Sequence, residues 1–478
     1  MQKKVLLLNP PGDQHYLRDY FCSKISKSGY LYQSIDLLVL SGILSRLFEV
    51  RVIDSIVEND SIETAFKKIT DFNPDFLVFL TGSVSFSLDM RFIERLRQAV
   101  PAIKKAVGLG DVFFDDSHKI LKEHACLDAV LFDFTTDDIT NYLTGRAFKN
   151  IVYRDGAAIK GQWLKPHQEE FSIPVPRHDL FPNNKYNYPF VRRKPFTIVL
   201  TNFGCPFRCR FCIMPALGFK VRRTDNIIEE LEYLKAHGFK DIYFNDQTFG
   251  ADKPRTKQLL RAMIEKKLNL GWVCFSRVDL IDQEFVALMK KAGCHTIMFG
   301  IESADQNILD DFAKGITLEK IKTAVALCKK SGLRILGTFI LGLPGETEKS
   351  ALKTIEFAKE LDLDYAAFNI AIPRKGTELR RQALESGLIG EELIEMDQSG
   401  SKALMKSGGL SETEIEKLQR RAYRDFYFRP KKIIGFILGI RSWVEFNNYV
   451  KNGWEVLWRY IRLPFFTFQR PRSAPPRT

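Results

Sequence analysis

The sequence has no apolar run long enough to serve as a signal peptide or to cross a membrane. Near the N-terminus, Val5–Leu8 is an apolar run of four residues, whereas a signal peptide needs about 7–15 apolar residues. In the C-terminal tail, Ile433–Ile440 has eight residues, and a spanning helix needs about 20. We therefore predict a buried first strand and a cytoplasmic protein.

Cysteines are few and mostly scattered. Eight occur in 478 residues, and the one close set is Cys205, Cys209 and Cys212. A chain of this length can build its core without covalent cross-links, so we do not expect a disulfide framework. The other five lie in apolar surroundings and are predicted to be buried thiols: Cys22, Cys126, Cys274, Cys294 and Cys328.

Positive charge is concentrated at one end of the chain, whose formal net charge is +13. Residues 429–478 hold ten Lys and Arg against Glu445 and Glu455, which gives +8. The rest of the chain is only mildly basic. This distribution argues against a nucleic-acid partner and for a local basic tail.

Residues 1–150 alternate short apolar segments, typical of buried parallel strands, with helical patterns. Five such units predict a doubly wound α/β domain of flavodoxin or Rossmann type, with ligands at the carboxyl ends of the strands. The predicted strands are 5–9, 50–56, 76–81, 106–109 and 129–133, and the predicted helices are 32–47, 61–72, 87–99, 117–125 and 136–143.

A stretch rich in proline and polar turn formers follows, and we predict a linker over 151–194. The alternation then restarts and predicts a partial (β/α)6 barrel of the TIM type over 195–400, with functional residues at the strand carboxyl ends. Residues 401–478 are predicted to be helical, with Ser411 as the N-cap of a helix over 412–427. The six barrel strands are 197–201, 241–246, 272–276, 295–301, 335–341 and 365–371.

The clearest chemical motif follows the first barrel strand, where Cys205, Cys209 and Cys212 are spaced CxxxCxxC. Three thiolates can hold three irons of a [4Fe–4S] cube and leave the fourth iron open. Zinc is the alternative metal, but a structural zinc site needs four ligands, and the sequence has no second cysteine pair. Three core cysteines without a metal are a further alternative. We predict a [4Fe–4S] cluster on these residues.

With Phe211 before its last cysteine, this motif resembles the signature of radical S-adenosylmethionine (SAM) enzymes. Three later segments are similar to the family's motifs on the fourth, fifth and sixth barrel strands, in the same order. They are Phe299–Ser303, Gly337–Glu346 and Asn369–Thr377. The resemblance implies an enzyme that cleaves SAM at the open iron to give a 5′-deoxyadenosyl radical.

The resemblance also implies where SAM binds. Glu302 and Ser303 would bind its polar groups, and residues around Phe339–Leu341 would flank the adenine. The alternative for Glu302 is a structural role, in which its carboxylate accepts hydrogen bonds from a helix N-terminus. We favour the SAM contact because charged residues at barrel strand ends are typically functional. The complete set of residues implied in SAM binding is Phe211, Asp246, Arg277, Glu302, Ser303, Phe339 and Gly342.

An α/β domain ahead of the cluster motif resembles the cobalamin-binding branch of this family. Gly108 and Gly110 would let a corrin approach the backbone, and His15 would either ligate cobalt or be solvated. Two departures from the branch are present: Arg18 replaces the glycine of a DxHxxG motif, and Asp133-Phe-Thr-Thr stands where relatives often have GEGE. Cobalamin is therefore expected as a cofactor, with a degenerate scaffold as the alternative.

The tail from Trp443 to Phe468 interleaves aromatic and basic residues at helical spacing. This composition suits an interfacial helix on anionic lipid, and a helix packed on the barrel is the alternative. We predict peripheral membrane contact through 430–470, on the inner face of the membrane, and a lipid-like substrate.

The family resemblance implies cobalamin-dependent methylation of an unactivated carbon, with electrons from a donor such as flavodoxin or ferredoxin. A radical rearrangement, cyclisation or carbon–carbon coupling without methyl transfer is one alternative. A cofactor-binding sensor or an electron-transfer module without turnover is another. No catalytic side chain beyond the cofactor ligands is assigned.

Overall fold

The computed structural model describes residues 2–390 and 395–440, together with 443, 444, 446, 447 and 450. Within these residues, no helix is long and apolar enough to cross a membrane. The described chain contains an N-terminal α/β domain, an open barrel and two C-terminal helices.

The N-terminal domain is a sheet with helices on both faces. Its strands are β1 (Lys4–Asn9), β2 (Tyr16–Asp19), β3 (Cys22–Ile25), β4 (Glu49–Asp54), β5 (Phe76–Leu80), β6 (Lys105–Leu109), β7 (Ala129–Leu131), β8 (Ile151–Asp155) and β9 (Ala158–Lys160). Its helices are α1 (Ile35–Ser45), α2 (Ser55–Glu58), α3 (Ile62–Phe72), α4 (Phe86–Ala99), α5 (Phe113–Glu123) and α6 (Asp138–Thr144).

The sheet has the order β4-β1-β5-β6-β7-β8-β9. Its first five strands are parallel and follow the flavodoxin-like order, which confirms the predicted fold class. Every residue of β5 is buried, as expected for a central parallel strand covered by helices on both faces. Strands β2 and β3 form a separate hairpin at the carboxyl edge of this sheet.

Residues 151–194, predicted to be a linker, contain three short strands. β8 and β9 extend the N-terminal sheet as an antiparallel hairpin, and β10 (His167–Phe171) pairs with a strand beyond the cysteine loop. The strands are three to five residues long, too short for a periodicity to show in sequence. Further along, the buried His178 contacts Thr197 and Glu230, each at 2.9 Å, and so ties this segment to the barrel.

The second domain is a six-stranded parallel sheet, and its strands neighbour one another in chain order. This confirms the predicted partial (β/α)6 barrel. Its strands are β11 (Phe196–Val199), β14 (Asp241–Phe244), β15 (Gly271–Ser276), β16 (Cys294–Glu302), β17 (Arg334–Leu341) and β18 (Tyr365–Ile370), and β12 (Asn202–Gly204) and β13 (Phe219–Arg222) form a small sheet with β10. Its helices are α7 (Met214–Leu217), α8 (Thr224–Ala236), α9 (Lys253–Glu265), α10 (Gln283–Lys291), α11 (Gln306–Asp311), α12 (Leu318–Lys330), α13 (Glu348–Glu360) and α14 (Glu378–Glu385).

Two helices follow the barrel, α15 (Glu412–Tyr427) and α16 (Pro430–Gly439). The predicted capping box is present, because Ser411 accepts from the Glu414 N–H and the Glu414 carboxylate accepts from the Ser411 N–H. α15 covers the edge strand β18, whose Ala366 N–H donates to the Tyr427 hydroxyl over 3.0 Å. Side chains of α15 thus satisfy backbone groups that an open barrel leaves unpaired at its edge.

Candidate active site

The three cysteines lie on the loop that follows β12. Gly204, just before Cys205, has a φ of +72°, and a Cβ there would stand 2.0 Å from the Gly218 carbonyl oxygen. Glycine is required because the loop folds back onto its own far end. The Cys205 N–H donates to the same carbonyl over 3.1 Å, and the Cys212 N–H donates to the Cys209 carbonyl over 3.0 Å. These bonds fix the path of the loop.

Asp246, at the end of β14, holds the start of this loop. Its carboxylate accepts from the Thr201 N–H at 2.7 Å, the Thr201 hydroxyl at 2.6 Å and the Asn202 N–H at 3.1 Å. Burial raises the pKa of Asp246 to about 6. Both oxygens are engaged within the chain, so Asp246 positions the start of the loop, and its contact with SAM stays a prediction.

The surroundings of the cysteines fit an iron–sulfur cluster. Burial raises the pKa of Cys212 to about 12, and Cys212 interacts electrostatically with both Cys205 and Cys209. Buried thiolates of this kind need a metal or a positive charge to stabilise them. Within the described residues, no three His, Cys, Asp or Glu side chains are grouped closely enough to hold one metal ion.

Arg277, at the end of β15, stands against the cysteine loop. Its Nη1 is 3.7 Å from Cys209 Sγ, and its guanidinium carbon is 3.8 Å from the centre of the Phe207 ring. Asp279 accepts from the same guanidinium at 3.0 and 3.1 Å, and the Lys314 carbonyl accepts at 2.7 Å. The structure thus places the charge of Arg277 beside a cluster ligand, and its contact with SAM stays a prediction.

Glu302 ends β16 in a left-handed conformation, with a φ of +67°. Residues other than glycine rarely adopt this conformation, and such strain clusters at functional sites. Glu302 Oε1 accepts from Lys314 Nζ over 2.7 Å, and both side chains are only 8% exposed. Gly300 leaves room for the pair, since a Cβ there would stand 2.3 Å from that oxygen. The partner of Glu302 is therefore a lysine and not a helix N-terminus.

Within the segment around Phe339–Leu341 that is predicted to flank the adenine, Phe339 itself turns away from the cavity. Phe339 is fully buried in the core outside the barrel, where its ring stacks on Phe368 with 5.2 Å between centroids. Successive side chains of a strand point to opposite faces. The neighbours Thr338 and Ile340 therefore face the inside of the barrel, where they line the cavity.

Ser303 and Gly342 shape the loops after their strands. The Ser303 hydroxyl accepts from the Asp305 N–H over 3.1 Å. Gly342 has a φ of +81°, and its N–H donates to the Glu346 carboxylate. Burial raises the pKa of Glu346 to about 7. Direct contact of Ser303 and Gly342 with SAM stays a prediction.

A cavity of about 720 Å³ lies between the barrel and the N-terminal domain. This volume is within the range of sites that enclose small organic ligands. Phe211, Cys212 and Glu302 line the cavity on the side of the cysteine loop, and contact of Phe211 and Glu302 with SAM stays a prediction. Much of the remaining wall is aromatic: Tyr30, Tyr32, Tyr188, Phe190, Tyr243, Phe275, Tyr365, Tyr423, Tyr427 and Phe428.

The two glycines predicted to admit a corrin serve the packing of the chain itself. A Cβ on Gly110 would stand 1.8 Å from the Thr81 carbonyl oxygen, and one on Gly108 would stand 2.8 Å from the Phe113 ring. The close approach at these positions is made by the protein's own atoms, and a corrin contact there stays a prediction. His15 is exposed and lies just before β2. Ligation of cobalt by His15 stays a prediction.

Residues 395–400 connect the barrel to the carboxyl edge of the N-terminal sheet, a role that no motif or periodicity in the sequence indicates. The Gln398 N–H donates to the Ser23 carbonyl over 3.2 Å, and its side-chain amide donates to the Asp111 carboxylate. Gln398 also lines the cavity, where its Oε1 is buried and has no hydrogen-bond partner among the described residues. An acceptor of this kind is expected to meet a ligand or water.

Comparison with known proteins decides the family. The Radical SAM superfamily matches residues 199–358, which include the cysteine loop and Glu302. The uncharacterized methyltransferase PH0819 of Pyrococcus horikoshii is 33% identical over 447 residues, covering 90% of this chain and 94% of that protein. The chain belongs to the radical SAM superfamily. It is therefore an enzyme of the class that uses a [4Fe–4S] cluster and SAM, as the cysteine motif predicts.

Two solved radical SAM enzymes share the fold over most of the chain. The methyltransferase TsrM of Kitasatospora setae, solved with cobalamin and a [4Fe–4S] cluster, has a TM-score of 0.63 at 20% identity and covers 81% of this chain and 78% of its own. The cobalamin-dependent enzyme OxsB has a TM-score of 0.67 at 14% identity and covers 95% of this chain and 72% of its own. The predicted fold of the cobalamin-binding branch is thereby confirmed for this radical SAM enzyme.

Arg277→Met is expected to lower the reduction potential of the cluster. The potential of an iron–sulfur centre rises with nearby positive charge and with hydrogen bonds to its sulfurs, and Arg277 supplies both at Cys209. A redox titration followed by electron paramagnetic resonance measures the change. Arg261→Met, an exposed arginine of α9 paired with Glu284, is the matched control. An unchanged potential in the Arg277 variant, with its iron retained, would contradict this role.

Proposed function

We propose that this radical SAM enzyme is a cobalamin-dependent methyltransferase that acts on a hydrophobic substrate. The observation that carries the proposal is the cavity of about 720 Å³, which meets the cysteine loop on one side and the N-terminal domain on the other. Methylation of an unactivated carbon requires a radical source and a methyl donor to reach the same atom. Holding both beside one enclosed substrate site supplies that proximity.

We assign a separate role to each group of residues. Cys205, Cys209 and Cys212 hold the cluster, and Glu302, fixed by Lys314, binds polar groups of SAM. When bound, the cofactors supply a 5′-deoxyadenosyl radical from reductive cleavage of SAM and a methyl group from cobalamin. The aromatic wall of the cavity keeps water from the reacting carbon, which limits side reactions of the radical.

The N-terminal side of the cavity suits the rim of a corrin. That rim carries carboxamide groups, which need hydrogen-bond partners when they are buried. Ser28, Gln398 and Ser399 line the cavity as neutral polar residues, and the Gln398 Oε1 is a buried acceptor without a partner among the described residues. These residues are the ones proposed to hold cobalamin.

The experiment compares hydrophobic extracts of cells with and without the protein, grown on methionine with a deuterated methyl group. The expected result is a lipid-soluble product that carries the labelled methyl group and is absent when the protein has the Cys209→Ala change. A product that depends on the protein but lacks the label would favour a radical rearrangement, cyclisation or coupling. If the extracts of cells with and without the protein do not differ, the result would count against a hydrophobic substrate for this enzyme.

The mouth of the cavity is proposed to dock on an anionic membrane. Phe428 and Ile433 line the cavity and are each 45% exposed, and Ile434 and Trp443 beyond them are 56% and 74% exposed. The sequence from 429 to 478 adds a net charge of +8, which attracts anionic lipid at about 1 kcal/mol for each basic residue near the surface. Within the predicted contact segment 430–470, residues 441, 442, 445, 448, 449 and 451–470 lie outside the described part of the chain.

Ile434→Glu combined with Trp443→Glu is expected to release the enzyme from vesicles that contain phosphatidylglycerol. Both side chains are exposed and apolar, and a carboxylate at each place would be repelled by the anionic surface. Vesicle flotation in low and high salt measures the binding. Leu388→Glu changes an exposed leucine elsewhere in the chain and serves as the control. Equal flotation of all variants, or none by the wild type, would exclude docking through this surface.

A further inference from the structure

The cavity wall is not uniform in charge. Among the described residues that line it, the basic ones are Lys24, Lys27 and Arg374, and the single acidic one is Glu302. That carboxylate already has its partner in Lys314 at 2.7 Å. The cavity therefore carries an excess of positive charge, although most of its wall is aromatic and aliphatic.

The three basic residues all line this one cavity. Lys27 Nζ donates to Asn369 Oδ1 over 2.7 Å, and Arg374 Nη2 donates to the Gln398 carbonyl over 3.3 Å. Lys24 and Arg374 interact as like charges, and Arg374 also interacts electrostatically with Cys212. The structure therefore gathers cations from the β2–β3 hairpin and from the loop after β18 near one cysteine of the cluster.

The acidic groups near these cations are engaged within the chain. Asp19 is buried and accepts from the Tyr32 hydroxyl at 3.2 Å, and Asp397 accepts from the Ile25 and Ser399 N–H groups. Within the described residues, the Lys24 ammonium makes no hydrogen bond or ion pair. Burial opposes the charge of Lys24, but Tyr30, Cys22 and Asp19 raise its pKa. The ammonium therefore stays positive at the cavity wall, where an incoming anion can pair with it.

The other end of the cavity is apolar. Strand β18 runs along the wall from Tyr365 to Ile370. Near its amino end the Tyr427 hydroxyl donates to the Ala366 carbonyl at 2.8 Å, and Phe428 and Ile433 continue to the surface. Near its carboxyl end stand Asn369 and the cations. At about 3.3 Å for each residue of a strand, these two ends are separated by roughly 10 Å.

We propose that the cavity binds an amphipathic anion, a hydrocarbon chain with a carboxylate or phosphate at one end. The anionic group meets Lys24, Lys27 and Arg374 beside the cluster loop, and the chain follows β18 to the mouth at Phe428 and Ile433. This inference names the substrate class for the proposed function and rests on it. It accounts for both the charge and the aromatic wall of one cavity.

The test measures binding of dodecanoate and 1-dodecanol to the full-length protein with its cluster reconstituted, by calorimetry below the concentrations at which either probe aggregates. The two probes have the same hydrocarbon chain, and only dodecanoate carries a charge. We expect dodecanoate to bind about tenfold more tightly or better, the difference of a charge-assisted hydrogen bond. Lys24→Met and Arg374→Met should each remove most of that preference and leave binding of the alcohol unchanged. Arg374→Lys, which keeps the charge, should retain much of it.

Lys349→Met, at an exposed lysine of α13, controls for the loss of one charge. The same variants are titrated with SAM and with hydroxocobalamin, because the carboxylate of SAM and the phosphate of cobalamin are the other anions that could reach these cations. Weakened binding of either cofactor, matching the loss for dodecanoate, would assign the cations to that cofactor and overturn the proposal. Equal affinity of the wild type for both probes, or no binding of either, would overturn it as well. Binding is measured without turnover, so a charge preference in a protein that fails to cleave SAM would refute the proposed function alone.

Discussion

Cys209→Ala protein, purified without oxygen, is expected to lose nearly all of the roughly four irons per chain that the wild type should carry. Two thiolates cannot retain the cube, and Cys209 is the buried ligand next to Arg277. The brown colour and its absorbance should disappear with the iron. Metal analysis and the visible spectrum measure both changes.

Cys126→Ala provides the control for this change, because Cys126 lies outside the loop and is only partly buried. It should keep the iron content of the wild type. Iron retained by the Cys209 variant, or stoichiometric zinc without iron in the wild type, would refute the cluster assignment.

Lys314→Met is expected to lower the apparent melting temperature by roughly 6–20 °C. Removing one partner of a buried ion pair costs about 3–5 kcal/mol, because it leaves the other charge without compensation, and 1 kcal/mol corresponds to about 2–4 °C in a domain of this size. Glu302 is held in a left-handed conformation and is 8% exposed, so it cannot turn out to solvent without moving the end of β16. Thermal unfolding monitored by circular dichroism measures the shift.

The double change Glu302→Gln and Lys314→Met tests the cause. Removing both charges should restore much of the lost stability, while SAM binding stays weak because Glu302 is absent. If the loss of stability in the double variant equals the sum of the losses in the two single variants, the two side chains act independently.

The alternation of strands and helices was predictable because each element is long enough to show its own period. Buried strands such as β5 consist of continuous apolar residues, and helix ends carry local signals such as the Ser411 capping box. The cysteine loop was predictable for a different reason, since its three ligands lie within eight residues and need no tertiary information.

The parts that the sequence did not predict depend on contacts between distant segments. Phe339 lies in the expected strand. Packing against Phe368 decides which face of that strand turns toward the cavity. Lys314 lies twelve residues after Glu302 in an unremarkable loop, and only the fold brings the two together. In the same way, Gln398 reaches Asp111 across 287 residues of sequence.

The glycines of the N-terminal domain illustrate the same limit. Gly110 was correctly recognised as a place of close approach, but its neighbour is the Thr81 carbonyl of the adjacent strand end and not a ligand. A glycine in a sequence indicates that something comes close to the backbone. Only the structure identifies the atom.

The most direct test of the central claim is the formation of 5′-deoxyadenosine when the reconstituted enzyme is incubated with SAM and a strong reductant without oxygen. We predict that wild-type protein forms 5′-deoxyadenosine and that Cys209→Ala protein forms none above the rate without enzyme. If the wild type holds its cluster, binds SAM and still produces no 5′-deoxyadenosine, the chain is a cofactor-binding or electron-transfer protein and not a radical enzyme.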